Sequence, residues 1–564
     1  MAEMILPGTY IDVRPEGLIA PGQVTVGNLG VVGTAAKGPI GVPQLLGSMA
    51  DALQTFYGYD SWIDPGTLLP RTDALTLTRA LELVFGFGGS VVYAVRVASG
   101  GAAKGTYTVP TATAGHGATL TAKTEGTWSN DLGVNVAAAT QDAYVNDKQI
   151  TGVVGTTTTV TYTPKQSARN RVTRHDHLTG QSHALTIVYD PTAAAAGQVS
   201  IKASTKELTF GDALAALDKV DVSYVVDAAN ARLVTLQLGH LQETYIVVDG
   251  ADLAKQLAAS AWVDAVAGTA PTELPTLTPV IANQPPVFSS FNGGLNGETA
   301  ADYNAGLTAL LNEPAHIIVG AGQDDSFGNK LDAHCQKAST DAIKHDRIGI
   351  VGSKLMNQAG LEASFDGIIG HNLNSDRIVF VAPGIRATDT PTGDEVTLPG
   401  AYTAAAFAGL LSSFSPQVSP TNKTLPVDEL ETHFDSAHLT QLLQNRVLAV
   451  EARQGFRIVR GITTTTGGAF AQITTRRIVD YAKFGVRSAA TPFIGLLNNE
   501  RVRGALRASI SMFLANMIDD EMLESYAVSV TATRAQEIQG IVDVTLVLRP
   551  VFSIDFIKVT MFLQ

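Results

Sequence analysis

HIIVGAGQDDSFGNKLDAHCQKASTDAIKHDRIGIV, residues 316–351, spells out a strand, a helix and a second strand. His316-Ile317-Ile318-Val319 is a continuous apolar run ending in Gly320-Ala321-Gly322, the pattern of a strand buried on both faces. Residues 329–344 carry helical spacing, and residues 347–351 turn apolar again. Downstream, DRIVFV at 376–381 reads as another buried strand, followed by an Ala-rich helix over 402–411. Upstream, a strand runs from Val24 through Val31-Val32-Gly33. A helix over 73–85 places Leu77, Ala80, Leu81 and Val84 on one face, with Asp73 as candidate cap, and 90–97 is a further strand. Strands alternating with helices predict an α/β sheet.

Between these halves the texture changes. Thr, Ala and Gly dominate from about Gly100 to Val160, and short alternating runs at 119–123, 134–138, 160–162 and 184–189 predict a β-rich module. A helical pattern follows over 251–266, then a Pro-rich linker containing Pro271, Pro275, Pro279, Pro285 and Pro286. Residues 101–288 therefore read as an insertion. The C-terminal part predicts strands over 457–463 and 471–474. It also predicts helices over 476–489 and 499–517, the second with Val502, Leu506, Ile510, Phe513 and Met517 at helical spacing. Strands follow over 526–533 and 540–549, with Val542, Val544, Leu546 and Leu548 on one face. After Pro550 the alternation slips: Ser553 and Asp555 are polar at odd positions, Lys558 and Thr560 at even ones. A one-residue slip swaps the faces, so either a bulge lies near Phe556 or the strand leaves its own sheet for another. At the other end, Thr9, Ile11 and Val13 alternate with Tyr10, Asp12 and Arg14, a strand without a local partner.

The chain has 564 residues, 45% hydrophobic, only 16% charged, with a net charge of −13. This excludes a disordered chain, which needs low hydrophobicity and high charge, and argues against a general nucleic-acid binder, which should be basic. The single cysteine allows no intrachain disulfide. No signal peptide is read at the N-terminus, and prolines 399, 416 and 420 break the one uncharged stretch long enough to span a membrane, 396–422. Chemical motifs are weak. Asp325 stands where a dinucleotide loop begun by Gly320-Ala321-Gly322 would need its third glycine, so an ordinary turn is expected. His175, Asp176, His177 and His183 lie among Arg169, Arg171 and Arg174, which would repel a cation, and are read as a solvated loop. Cys335 is read as a core residue, and no G-x-S-x-G elbow occurs. No catalytic residue, cofactor or metal is expected. Charge, by contrast, is segregated: residues 446–516 hold eleven basic side chains against Glu451, Asp480 and Glu500, a net +8. An acidic protein partner suits such a segment.

Several stretches resemble the contractile phage tail sheath family, shared with contractile injection systems and R-type pyocins. They are LQNRVLAVEARQGFRIVRGITT (443–464), ITTRRIVDYAKFGV (473–486), FIGLLNNERVRGALRASISMFL (493–514) and residues 541–561. Upstream, PGTY (7–10) with 30–39, TLTAKTEGTWSNDLGVNV (119–136), and NGGLNG (292–297) followed by Asp302-Tyr303 resemble further blocks in family order. About half the chain is covered; residues 142–282 show no such likeness.

The resemblance implies an α/β plus β-rich fold: a subtilisin-like α/β central domain without protease activity, a β-rich outer insertion, and an α+β C-terminal domain with extended N- and C-terminal arms. The expected divisions are an N-terminal arm (1–23), the two parts of the central domain (24–100 and 289–440), the insertion (101–288), the tube-facing domain (441–549) and a C-terminal arm (550–564). The arms would add strands to a neighbour's sheet, making Tyr10, Ile11, Val13, Phe552, Ile554, Phe556, Ile557 and Val559 candidate inter-subunit residues. Arg501, Arg503 and Arg507 are candidate tube contacts. The function implied is a structural, non-enzymatic sheath subunit. It would form a six-fold helical homopolymer around a tail tube protein and contract to drive the tube through a target cell envelope for genome ejection. Baseplate and tail terminator proteins are further expected partners, with no nucleic acid and no membrane insertion. The expected location is the virion tail, after assembly in the host cytoplasm. A headless injection system or pyocin-like particle is the alternative, and a subtilisin-fold hydrolase a more distant one.

Overall fold

Six parallel strands form the centre of an eight-stranded sheet in a computed structural model of the chain, which describes residues 26–113, 115–150, 155–215, 217–281 and 283–562. The expected N-terminal strand with Tyr10, Ile11 and Val13 lies outside the described residues. The chain divides into two units: one runs to Gly100 and resumes at Gly297, and the other is Gly101–Asn296.

In the first unit, β1 (Leu29–Gly33), β2 (Gln44–Leu46), β3 (Val92–Arg96), β4 (Ile317–Asp324), β5 (Ile348–Gly352), β6 (Ile378–Ala382), β7 (Leu448–Ala452) and β8 (Phe456–Ile458) join in the order β2-β3-β1-β4-β5-β6-β7-β8. The strands from β3 to β7 run parallel, and the short β2 and β8 close the edges antiparallel. Strands β1, β5 and β6 are buried throughout, because helices cover both faces of a parallel sheet. Their side chains alternate between two cores. Leu29, Val31, Ile317, Val319, Val379 and Val381 meet helices α1 (Leu77–Gly86) and α3 (Gly400–Ser412) on one face. Val32, Ile318, Ile378 and Phe380 meet α2 (Asp325–Ala338) on the other.

Local chemistry sets the element ends. Strand β4 does not stop at its glycines; it reaches Asp324, whose carboxylate accepts the Ser326 N–H at 2.9 Å and starts α2 four residues earlier than the spacing predicts. Helix α3 is buried nearly all round, and its small residues let it sit between the sheet and α1: a Cβ on Gly409 would lie 2.4 Å from the Val84 carbonyl oxygen.

The Gly101–Asn296 unit is β-rich. One of its cores gathers Val145, Val172, Ile201, Leu208, Phe210 and Tyr224 from strands Ala143–Ile150, Arg171–His175, Gln198–Lys202, Glu207–Leu214 and Lys219–Val226. Ser289–Ser290 pairs with Leu132–Ala138 in the same unit. The long helix expected over 251–266 is not formed. A helix spans only Gly250–Gln256, and Val263–Ala267 is a strand paired with His116–Ala122, since Val263 gains a place in a sheet that a longer helix would deny it.

The C-terminal part contains α4 (Ile473–Ala490), α5 (Glu500–Asp519), β9 (Leu523–Thr531), α6 (Arg534–Gln539) and β10 (Asp543–Pro550). Residues 473–474, read as strand, are instead the buried first turn of α4. Asn499 caps α5 by accepting the Val502 N–H at 2.9 Å, and Leu506, Ile510, Phe513, Leu514 and Met517 face its core. The two helices touch at Gly485, where a Cβ would come within 1.8 Å of the Phe513 ring.

Candidate assembly surface

Strands β9 and β10 form a two-stranded antiparallel hairpin, with Tyr526 opposite Leu548, Val528 opposite Leu546 and Val530 opposite Val544. These six side chains pack on the core formed by α4 and α5, and the Tyr526 hydroxyl donates to the Ser511 carbonyl at 2.9 Å. Helix α6 bridges the strands. Thr533 and Gln536 form its capping box, and Gly540 takes the left-handed conformation that ends it. A two-stranded sheet is marginal by itself, so the helices beneath carry it. Among the described residues neither strand has a second partner. Both outer edges therefore present backbone N–H and C=O groups ready for pairing.

Beyond Pro550 the described tail contains no strand. Its large apolar side chains stand in solvent: Phe552, Ile554, Phe556, Ile557, Val559, Met561 and Phe562 are all more than half exposed. So many exposed large apolar side chains in one short stretch are unusual for a surface left bare to water. The five arm candidates from Phe552 to Val559 are thus exposed, while Tyr10, Ile11 and Val13 fall outside the described residues.

The basic segment 446–516 does not form a free basic face. Arg476 donates to Asp376 at 3.0 Å and to Asp480 at 2.6 Å, and Arg487 donates to Asp346 at 2.7 Å and Asp341 at 3.0 Å. Lys483 also pairs with Asp346. Arg377, beside β6, donates to both Asp480 oxygens and, at 3.4 Å, to Asp346. Four cations thus meet four carboxylates between α4 and the sheet, with Arg377, Asp346 and Asp480 at 5%, 4% and 11% side-chain exposure. Burial by itself would lower the Arg377 pKa, but Asp480 and Asp346 outweigh it and hold it raised. Sequence reading missed this clamp; its one local signal is Asp480 standing four residues after Arg476. Arg446 and Arg477 spend their guanidinium groups on backbone carbonyls.

The tube-contact candidates separate. Arg503 donates to Glu537 at 3.0 Å and Asn498 at 2.9 Å, tying α5 to α6. Arg501 and Arg507 are exposed. At the α-helical repeat, Arg507 lies about 40° from Arg503 and about 120° from Arg501 around the helix, so the three do not share one face.

Elsewhere, Asp176, His177 and Asp218 approach closely enough for their ligand atoms to lie within 4.8 Å of one another. Asp218, however, accepts Arg174 at 2.6 Å, the His177 ring at 2.9 Å and the His177 and Ala215 N–H groups at 3.1 Å each. Burial opposes its charge, and these hydrogen bonds prevail, holding its carboxyl far below the usual range. The group orders a loop. Cys335 is fully buried, and burial pushes its thiol up to about 12, which suits a core residue rather than a nucleophile. Among the described residues no helix is long and apolar enough to cross a membrane.

Two solved structures share the fold: the sheath tail protein from Desulfitobacterium hafniense (14% identity, TM-score 0.57, covering 96% of this chain and 100% of that one) and the sheath tail protein from Listeria innocua (12% identity, TM-score 0.56, 95% of each). The tail sheath protein of Staphylococcus phage Twort is 28% identical over 190 residues, which span 32% of this chain and only 31% of that relative. Residues 296–464 match the phage tail sheath protein central domain and residues 465–564 the phage tail sheath C-terminal domain, so residues 296–564 are similar to phage tail sheath proteins across both domains.

Proposed function

We propose that this chain is the structural subunit of a contractile tail sheath. It polymerises as a six-fold helical homopolymer around a tail tube and contracts to drive the tube through a target cell envelope for genome ejection. The observation that carries this reading is a pair of complementary deficits: a hairpin with two open edges and an apolar tail without a sheet. A tail that adds to the hairpin of a second copy satisfies both at once. Repeated head to tail, that contact builds an open helix rather than a closed ring.

The charge clamp gives the subunit its mechanical character. It fastens the hairpin-bearing helices to the α/β sheet, so that a subunit turns as one body while its arms keep their backbone pairing. The work of contraction comes from interface burial between subunits; the chain is not an enzyme and uses no nucleotide. The parallel sheet between two helical layers supports a subtilisin-like architecture for the central domain, held there as a scaffold. Arg501 and Arg507, exposed on α5, are the proposed contacts to an acidic tube surface, and baseplate and tail terminator proteins close the two ends. The particle is the virion tail, assembled in the host cytoplasm.

Electron microscopy of the purified chain, with no other tail protein present, tests the proposal. Hollow helical tubes are expected. A chain that stays monomeric at tens of micromolar would contradict it, and labelling by a serine-reactive phosphonate probe would favour a hydrolase instead.

A further inference from the structure

The tail does not leave its own subunit at Pro550. The Val551 N–H donates to the Met522 carbonyl at 3.1 Å. The Ser553 N–H donates to Gln472 Oε1 at 3.3 Å, and Gln472 Nε2 donates back to the Ser553 carbonyl at 3.4 Å. Two residues on, one Asp555 oxygen accepts from Arg460 Nε at 2.8 Å and from Gln472 Nε2 at 3.1 Å. The other oxygen accepts from Thr421 Oγ1 at 3.5 Å. Three separate segments converge on this carboxylate: the loop holding Thr421, the chain after β8 at Arg460, and Gln472, which precedes α4. Its side chain is 6% exposed. The Arg460 guanidinium also lies over the Phe556 ring, 5.3 Å from its centre.

This contact accounts for the slip in polarity. Ser553 and Asp555 turn toward their own domain, which leaves Phe552, Ile554 and Phe556 facing outward at 52%, 79% and 79% exposure. From Ile557 to Phe562 both parities are exposed, because none of the described residues covers them.

We infer that Asp555 anchors the root of the C-terminal arm to its own subunit, so that residues from 557 onward are what the chain delivers to a second copy of itself. This rests on the strand-addition reading above. The anchor shortens the free reach. Holding residues 551–556 takes about 20 Å of extended chain out of the free arm. A shorter tether of fixed direction concentrates the arm at one neighbouring edge and disfavours mispaired neighbours. The pair is charge-assisted and directional, as such a fastening requires.

The test compares Asp555→Ala, Arg460→Ala, the exchanged pair Arg460→Asp with Asp555→Arg, and a chain ending at Pro550. In dilute solution, where the chain is monomeric, amide hydrogen exchange over residues 551–556 should be slow in the wild type and fast in both single variants. The critical concentration for polymerisation, read by sedimentation, should rise about tenfold in each single variant and fall back toward wild type in the exchanged pair. Fast exchange in the wild-type monomer, or single variants that polymerise like wild type, would overturn the anchor. Polymerisation of the chain ending at Pro550 would instead overturn the strand-addition reading itself.

Discussion

Arg377 sets Nη1 2.9 Å from one oxygen of Asp480 and Nη2 3.1 Å from the other. The guanidinium comes from beside strand β6 and the carboxylate from the middle of α4, so one bidentate pair joins the sheet to the helix that carries the hairpin. Removing the carboxylate leaves Arg377 and Arg476 facing each other in a nearly dry site. Asp480→Ala should cost about 3–5 kcal/mol of stability, measured by denaturant unfolding of the monomeric chain. Stability within experimental error of wild type would contradict the clamp.

The crossing of α4 and α5 depends on Gly485, which lies against the Phe513 ring. Gly485→Ala should destabilise by about 1–3 kcal/mol through overpacking, and Phe513→Leu in the same chain should return part of that loss. Thermal unfolding of the single and double variants checks it. An Ala substitution that raises stability through helix propensity would show that the helices can separate at no cost.

Stability should also fall in mild acid. His334 is 7% exposed and accepts a hydrogen bond from Arg347 at 3.0 Å; burial first, then Arg347, pushes its pKa down to about 4. Burial does the same to His316, with Arg347 and Arg477 adding to it. An unfolded histidine takes up its proton near pH 6.5. Between about pH 6.5 and 4 the unfolded chain therefore holds more protons, and stability declines as pH falls, by up to about 3 kcal/mol for His334. Denaturant midpoints measured from pH 7.5 to 4.5 should show that slope, and His334→Gln should flatten it. A slope unchanged in the variant would contradict the assignment.

The three arginines of α5 should behave differently. Arg507→Glu and Arg501→Glu should leave self-assembly intact and weaken co-sedimentation with the tail tube protein about tenfold. Arg503→Glu should disturb the hairpin connection through Glu537 and lower polymer yield without tube protein present. Equal effects of all three on tube binding alone would show that Arg503 also faces the tube.

What could be read in the sequence was local. Leu506, Ile510, Phe513 and Met517 place α5, because a 3.6-residue stripe lies within one helix. The alternation of Val542, Val544, Leu546 and Leu548 likewise matches the inner face of β10. What could not be read depends on pairing at a distance. The +8 of 446–516 looks like a basic face because the carboxylates that neutralise it (Asp341, Asp346, Asp376 and Asp555) sit 95 to 146 residues away and meet it only in the fold. For the same reason the slip after Pro550 showed that faces change, while its cause, the hold of Arg460 and Gln472 on Asp555, stayed hidden. Residues 251–266 carry a helical pattern of small apolar residues that a sheet edge overrides at Val263.

The central claim is that subunits join by giving their tail to the open hairpin of another copy. Negative-stain microscopy of a chain ending at Pro550, beside the full chain at equal concentration and with matched circular dichroism, tests it most directly. The full chain should form hollow helical tubes and the shortened chain only dispersed, folded monomers. Ordinary tubes from the shortened chain would contradict the claim.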